Sequence, residues 1–223
     1  MPHAYAEVFA AHAALLNSHR GWDPGALRLG RQFADALGAP LFAASTTRLL
    51  IDLNRSIGHR HLFSELTRGL PRAERDKIVA EHYRPYRDTV EGEVARCIAA
   101  GKQVTHIASH SFTPVFDGLV RRADVGWLYD PRRSAESALA QRWMKALAQR
   151  APDLRLRRNY PYLGRGDGLT ALLRRRFSGD AYVGIELEVN QHFVEQGGAP
   201  WVALRADLVA ALVGTLATPP ASA

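Results

Sequence analysis

Three short stretches carry side chains able to do chemistry. Residues Ile185 to Gln191 read IELEVNQ and place Glu186 and Glu188 two apart in an otherwise apolar run. At strand spacing the two carboxylates share one face. Burying a carboxylate is costly unless it is paired or bound to something, and either a salt bridge or a metal ion would meet that need. His110 follows the run Gln103 to Ser109, where a predicted strand gives way to Ser111-Phe112-Thr113-Pro114. An imidazole at such a strand end can ligate a metal, move protons, or simply be hydrogen-bonded within a loop. Asp52-Leu53-Asn54-Arg55 ends a third apolar run, with Asp52 and Asn54 on one face if the strand persists. His59, His61 and Glu65 have the composition of a metal cluster, but their spacing fits no strong ligand pattern. Asp23, just before Pro24, stands where a helix cap is expected.

These residues need elements to position them. Apolar spacing predicts helices over Ala4 to Leu16, from Asp23-Pro24 to about Leu37 with Gly38 as the stop, over Ala135 to Gln149, over Leu169 to Phe177 and over Trp201 to Leu216. Arg72 to Ala100 also reads as helical, with Pro85 expected to break or kink it. Strands are expected at Pro40 to Ala44, Thr47 to Leu53, Val104 to Ser109, Val125 to Tyr129, Leu154 to Arg158 and Ala181 to Val189. Asn159 to Gly168, rich in Tyr, Gly and Pro, reads as a pliable loop without the strand-turn-helix setting of a phosphate site. The tail from Thr218 to Ala223 is expected to be loose. Strands alternating with helices predict an α/β fold of three layers, a mainly parallel or mixed sheet with helices on both faces, in a single domain over 1–223.

The chain has 223 residues, 47% hydrophobic and 23% charged, an ordinary globular balance. No apolar run reads as a membrane span and no leader pattern precedes the first helix. One cysteine, Cys97, excludes an internal disulfide and fits a reducing, cytoplasmic setting. The net charge of +7 suits anionic partners. The arginines are spread along the chain rather than gathered in a tail, which argues against nucleic acid and for a small anionic ligand.

Six stretches together resemble the N-formylglutamate amidohydrolase family: HRGWDPGA at His19 to Ala26, RLLIDLNRS at Arg48 to Ser56, LFSELTR at Leu62 to Arg68, HSFTPVFDG at His110 to Gly118, WLYD at Trp127 to Asp130, and IELEVNQ. That family is similar in fold to zinc carboxypeptidases and aspartoacylases. The resemblance implies a zinc-dependent amidohydrolase that cleaves an N-formyl or N-acyl acidic amino acid, releasing formate and glutamate in the name-giving reaction. It implies His110 as a zinc ligand, Asn54 and Arg55 as the grip on a substrate carboxylate, and Asp52 as the group orienting them. Glu188 is implied as the general base, preferred over Glu186, and Asp23 as a metal ligand or a neighbour of one, in competition with its capping role.

One departure bears on this. Family members begin with an apolar strand and a His-x-Gly segment, whereas Met1-Pro2-His3-Ala4-Tyr5 aligns just after it. The expectation is a chain lacking the family's first strand and one zinc ligand, with a start codon assigned too late. The alternative is an impaired member that binds an acidic ligand without hydrolysing it.

Overall fold

The computed structural model describes residues 2–218, so most of the expected loose tail lies outside the described residues. Four strands make one mixed sheet: β1 (Val104–Phe112), β4 (Val125–Leu128), β5 (Leu156–Arg158) and β6 (Tyr182–Asn190), in the order β1-β6-β4-β5. β1 runs parallel to β6, β6 antiparallel to β4, and β4 parallel to β5. Among the described residues no strand pairs with the outer side of β1. Two further short strands, β2 (Val115–Phe116) and β3 (Leu119–Val120), form a separate hairpin.

β6 explains the layering. Val183, Ile185, Leu187 and Val189 point to one face, into a core shared with Leu29 and Phe33 of α1 (Ala26–Leu37), Trp143 and Leu147 of α4 (Ser134–Arg150), and Trp201, Leu204, Leu208 and Leu212 of α7 (Gly198–Ala217), which follows the short α6 (His192–Gln196). Tyr182 points the other way, among Val90 and Val94 of α3 (Arg84–Ala99) and Leu169 and Leu173 of α5 (Leu169–Arg176). Helices therefore cover both faces, as the alternation of strands and helices requires. All of β6 is buried, so the face carrying Glu186 and Glu188 is covered as well. α7 is, by length and composition alone, apolar enough to cross a membrane, contrary to expectation. Its Trp201, Leu204, Leu208 and Leu212 are instead spent on the core.

Several local expectations fail for physical reasons. Residues 40–46 form no strand, and Thr47 to Leu53 is a turn rather than a strand. Leu49, Leu50 and Ile51 are buried, but in a second cluster with Tyr5, Phe9, Leu62, Ile78 and Tyr83. Burial and apolarity are the same for a strand and a packed turn, and only a hydrogen-bonded neighbour makes the first. His3 to Leu16 alternates short 3-10 and α turns instead of one helix. Pro85 does not break its helix, because a π turn at Val79–Tyr83 joins α2 (Arg72–Ile78) to α3 and puts the proline in the first turn of α3. There its missing N–H costs little. β1 also continues past His110 to Phe112, so the imidazole sits on the strand itself.

Candidate functional site

Parallel pairing sets His110 directly beside Glu188, and Ala108 beside Glu186. All four side chains belong to the face opposite the main core, as period-two alternation dictates. The two glutamates then part company. Thr170 at the start of α5 donates its hydroxyl proton to Glu186, a satisfied buried carboxylate. Glu188 is 5% exposed, and its Oε2 has no hydrogen-bond partner among the described residues. Buried polar atoms are nearly always satisfied, so an orphaned carboxylate oxygen marks a place where something else binds or where a proton rests. Burial pushes the Glu188 carboxyl up to about 8, against the pull of the neighbouring His110.

His110 donates from Nδ1 to Asp23 Oδ2 at 2.7 Å, and its Nε2 makes no hydrogen bond among the described residues. Burial alone would lower its proton affinity, but the bond and charge of Asp23 outweigh that and raise it to about 9. Asp23 makes no capping bond; Gly25, in a left-handed conformation, opens α1 instead. The other oxygen of Asp23 accepts from Arg48 Nη1 at 2.8 Å. Burial would raise the Asp23 carboxyl, and the His110 and Arg48 partners hold it below its ordinary value.

Arg48 carries the connection onward. Its Nη2 donates to Asp52 Oδ2 at 3.2 Å, and Asp52 lies 3.9 Å from Arg55 Nε. Asp52 Oδ1 also accepts the backbone N–H of Asn54 at 2.9 Å, fixing the turn that presents Asn54 and Arg55. The structure thus joins His110, Asp23, Asp52 and Arg55 in one chain of ion pairs, with Glu188 at its His110 end. In the sequence Arg48 stands only within the stretch RLLIDLNRS, where nothing local marks its bridging role.

Other supports come from far along the chain. Arg55 Nη1 donates to the Asp167 carbonyl at 2.8 Å. The Asp167 carboxylate accepts both the N–H and the hydroxyl of Ser56, at 2.8 and 2.5 Å. The Leu169 N–H donates to Asn54 Oδ1 at 2.9 Å. The pliable loop over 159–168 is therefore a clamp on the Asn54-Arg55-Ser56 segment. From the π turn, the Tyr83 hydroxyl donates to the Arg55 carbonyl at 2.7 Å, and the buried Arg87 donates to the Leu53 carbonyl at 3.1 Å. A π turn in the middle of a helix often marks a functional site, and here Tyr83 at its end and Arg87 in the first turn of α3 both reach one segment. Glu65 is spent on Arg20 at the surface, and His59 and His61 face each other with rings 5.6 Å apart, so the three do not converge.

Gly126 lets the loop come this close. It pairs with Glu188, and a Cβ there would lie 1.9 Å from the Tyr160 carbonyl oxygen. Gly126→Ala is expected to cost about 1–3 kcal/mol, the usual penalty of forced overpacking, read by urea unfolding. An unchanged midpoint would mean the loop is not held against β4.

A hydrolytic zinc ion takes three protein ligands and keeps one open position. Among the described residues no three His, Cys, Asp or Glu side chains converge to hold an ion. His110 Nε2 is available, but both oxygens of Asp23 are engaged. The described residues do not make such a site by themselves.

Comparison with known proteins gives this geometry a context. The profile of the N-formylglutamate amidohydrolase family matches residues 1–194. The crystal structure of gene product Atu2144 from Agrobacterium tumefaciens superposes with a TM-score of 0.81 at 29% identity, covering 97% of this chain and 86% of that one. An N-formylglutamate amidohydrolase from Ralstonia eutropha JMP134 superposes at 0.65 with 17% identity, covering 86% of this chain and 81% of that one, which supports the fold alone. No curated protein matches the sequence. With the profile covering most of its length, the chain belongs to the N-formylglutamate amidohydrolase family.

Proposed function

We propose that this chain hydrolyses the amide of an N-formyl or N-acyl acidic amino acid, yielding a carboxylate and a free amine. The observation that carries the reading is the linked series from Glu188 and His110 through Asp23, Arg48 and Asp52 to Arg55. It couples a proton-carrying end to a carboxylate-binding end, which is what hydrolysis of an anionic amide asks of a site.

At the binding end, Arg55 is 35% exposed and held from behind by Asp52 and Asp167, so its guanidinium is aimed without being neutralised by a close bidentate partner. Guanidinium binds a carboxylate through two parallel hydrogen bonds, and Asn54 beside it offers its side-chain N–H groups. At the other end, water adds to the amide carbon and the C–N bond breaks. Glu188 takes a proton from the attacking water and delivers it to the leaving nitrogen. A carboxyl titrating at about 8 is well matched to carry a proton both ways near neutrality. Asp23 holds the orientation of the His110 ring and favours its charged form, so that Nε2 donates toward the amide. We propose His110 Nε2 as the donor that would face a zinc ion, which would have to displace its proton and would supply polarisation of the amide oxygen and activation of water; the proton transfers of Glu188 are not routed through it. The lone cysteine supports a reducing, cytoplasmic setting.

The test is release of formate or acyl acid from N-formylglutamate and its N-acyl relatives, compared with N-formyl amino acids of equal size and no side-chain charge. Turnover favouring the acidic substrates supports the reading; no release from any of them ends it. Arg55→Lys keeps the charge but loses the fork, so KM for the acidic substrate is expected to rise about tenfold with kcat nearly unchanged. A fall in kcat with KM intact would move Arg55 from binding to chemistry. A second reading, binding of an acidic ligand without hydrolysis, is favoured by the lack of a three-donor set among the described residues. Saturable uptake of N-formylglutamate with no product formed would decide for it.

A further inference from the structure

We propose that the cleft between the β2–β3 hairpin and the edge strand β5 binds a compact oxyanion carrying two or more negative charges, of the polyphosphate type. The cleft has a volume of about 420 Å³ and is lined by Arg122, Arg157, Arg158, Asn159 and Tyr160, with small apolar residues between. This is within the size range of small-molecule sites. No carboxylate is in the lining.

The state of the arginines is what points to a ligand. Some neighbouring arginines are matched by a carboxylate, Arg155 by Asp124 at 2.9 Å, Arg132 by Asp130 at 2.8 Å and Arg174 by Glu136 at 2.9 Å, while Arg121 lies on aromatic rings. Among the described residues, Arg122, Arg157 and Arg158 belong to no ion pair. On β5, Arg157 shares the face of Gly126 while Arg158 points to the opposite face, so the like charges that meet in the cleft are Arg122 and Arg157; they repel each other and raise the local positive potential, which a bound anion relieves. Guanidinium forks match phosphate oxygens two at a time. Asn159 adds a donor. Its Oδ1 is spent on the N–H groups of Tyr129 and Gly164, at 3.0 and 3.1 Å, leaving its amide nitrogen for a ligand.

The wall is also fixed in place. The Tyr160 carbonyl lies against Gly126, the Tyr160 ring packs edge-on to Phe112 with centroids 6.0 Å apart, and the Asn159 N–H donates to the Trp127 carbonyl at 2.7 Å. A compact ligand suits it better than a nucleic-acid strand. Base stacking needs free aromatic faces. The nearby exposed rings of Phe116 and Tyr162 are taken by the Arg121 guanidinium, 4.5 and 5.3 Å from their centroids.

The experiment is calorimetric titration of the whole chain with inorganic pyrophosphate in low-salt buffer. It reads binding without turnover, so it stands apart from the hydrolytic reading. One saturable site is expected, weakened about tenfold or more in Arg122→Gln/Arg157→Gln. The control Arg72→Gln/Arg96→Gln removes equal charge from exposed helix positions and is expected to change affinity less than about twofold. Equal weakening in both pairs would reduce the effect to overall charge, and no heat of binding would remove the site. Displacement of pyrophosphate by a single-stranded oligonucleotide of matched charge, bound more tightly, would assign the surface to nucleic acid instead. Each of these three results overturns the proposal.

Discussion

Glu188→Gln is expected to lower kcat about a thousandfold, within the usual range for losing a general acid–base group. The amide side chain fills the same space on β6 beside His110, so the fold and the binding of an acidic substrate should survive. The proton relay would not. Glu186→Gln provides the contrast: Thr170 can still donate to the remaining carbonyl oxygen, and the expected loss is within about tenfold. The prediction rests on a difference the strand pattern could not reveal, one carboxylate satisfied and the other with an orphaned oxygen. Steady-state kinetics on N-formylglutamate reads both variants. If Glu186→Gln were the crippled one, the proton carrier would be misassigned.

The largest effect on stability is expected at a different glutamate. Glu136 is fully buried near the start of α4, where it accepts from Arg174 Nε at 2.9 Å and from the backbone N–H groups of Asp130 and Gly184 at 2.9 and 3.2 Å. Arg133, the residue just before α4, lies 3.4 Å away. Arg174 in turn donates to the Gly184 carbonyl at 2.9 Å. One carboxylate thus ties α4 and α5 to the strand that carries Glu186 and Glu188. Glu136→Ala would strand two arginines, Arg174 almost fully buried, and leave two backbone donors without a partner. Breaking a buried pair from one side costs about 3–5 kcal/mol. For a chain of this size that lowers the melting temperature by about 10 °C. Thermal unfolding followed by circular dichroism is the measurement. A loss below about 1 kcal/mol, typical of an exposed pair, would show that water replaces the carboxylate without cost.

What the sequence made legible divides along physical lines. The alternation of β6 was readable, because Val183, Ile185, Leu187 and Val189 against Tyr182, Gly184, Glu186 and Glu188 is a period of two over a long run. So was α1, bounded by Pro24 before and a left-handed Gly38 after. The turn at Leu49 to Ile51 was not, since three buried apolar residues look the same in a strand and in a packed loop. The pairing partners of the candidate residues were beyond reach for another reason. Arg48 meets Asp23 across 25 residues and Asp167 meets Ser56 across 111, and nothing local in either segment names its partner. Arg48 and Asp167 are consequently the groups the sequence missed, while His110, Glu188 and Arg55, lying in recognisable stretches, were singled out without them.

The central claim is that Arg55 and the Glu188–His110 pair act on a single small anionic molecule. It is tested most directly by a crystal structure of the Glu188→Gln variant soaked with N-formylglutamate. A substrate carboxylate on the Arg55 guanidinium and the formyl amide between His110 and position 188 are expected. A ligand whose carboxylates avoid Arg55, or whose amide lies away from His110, would contradict it.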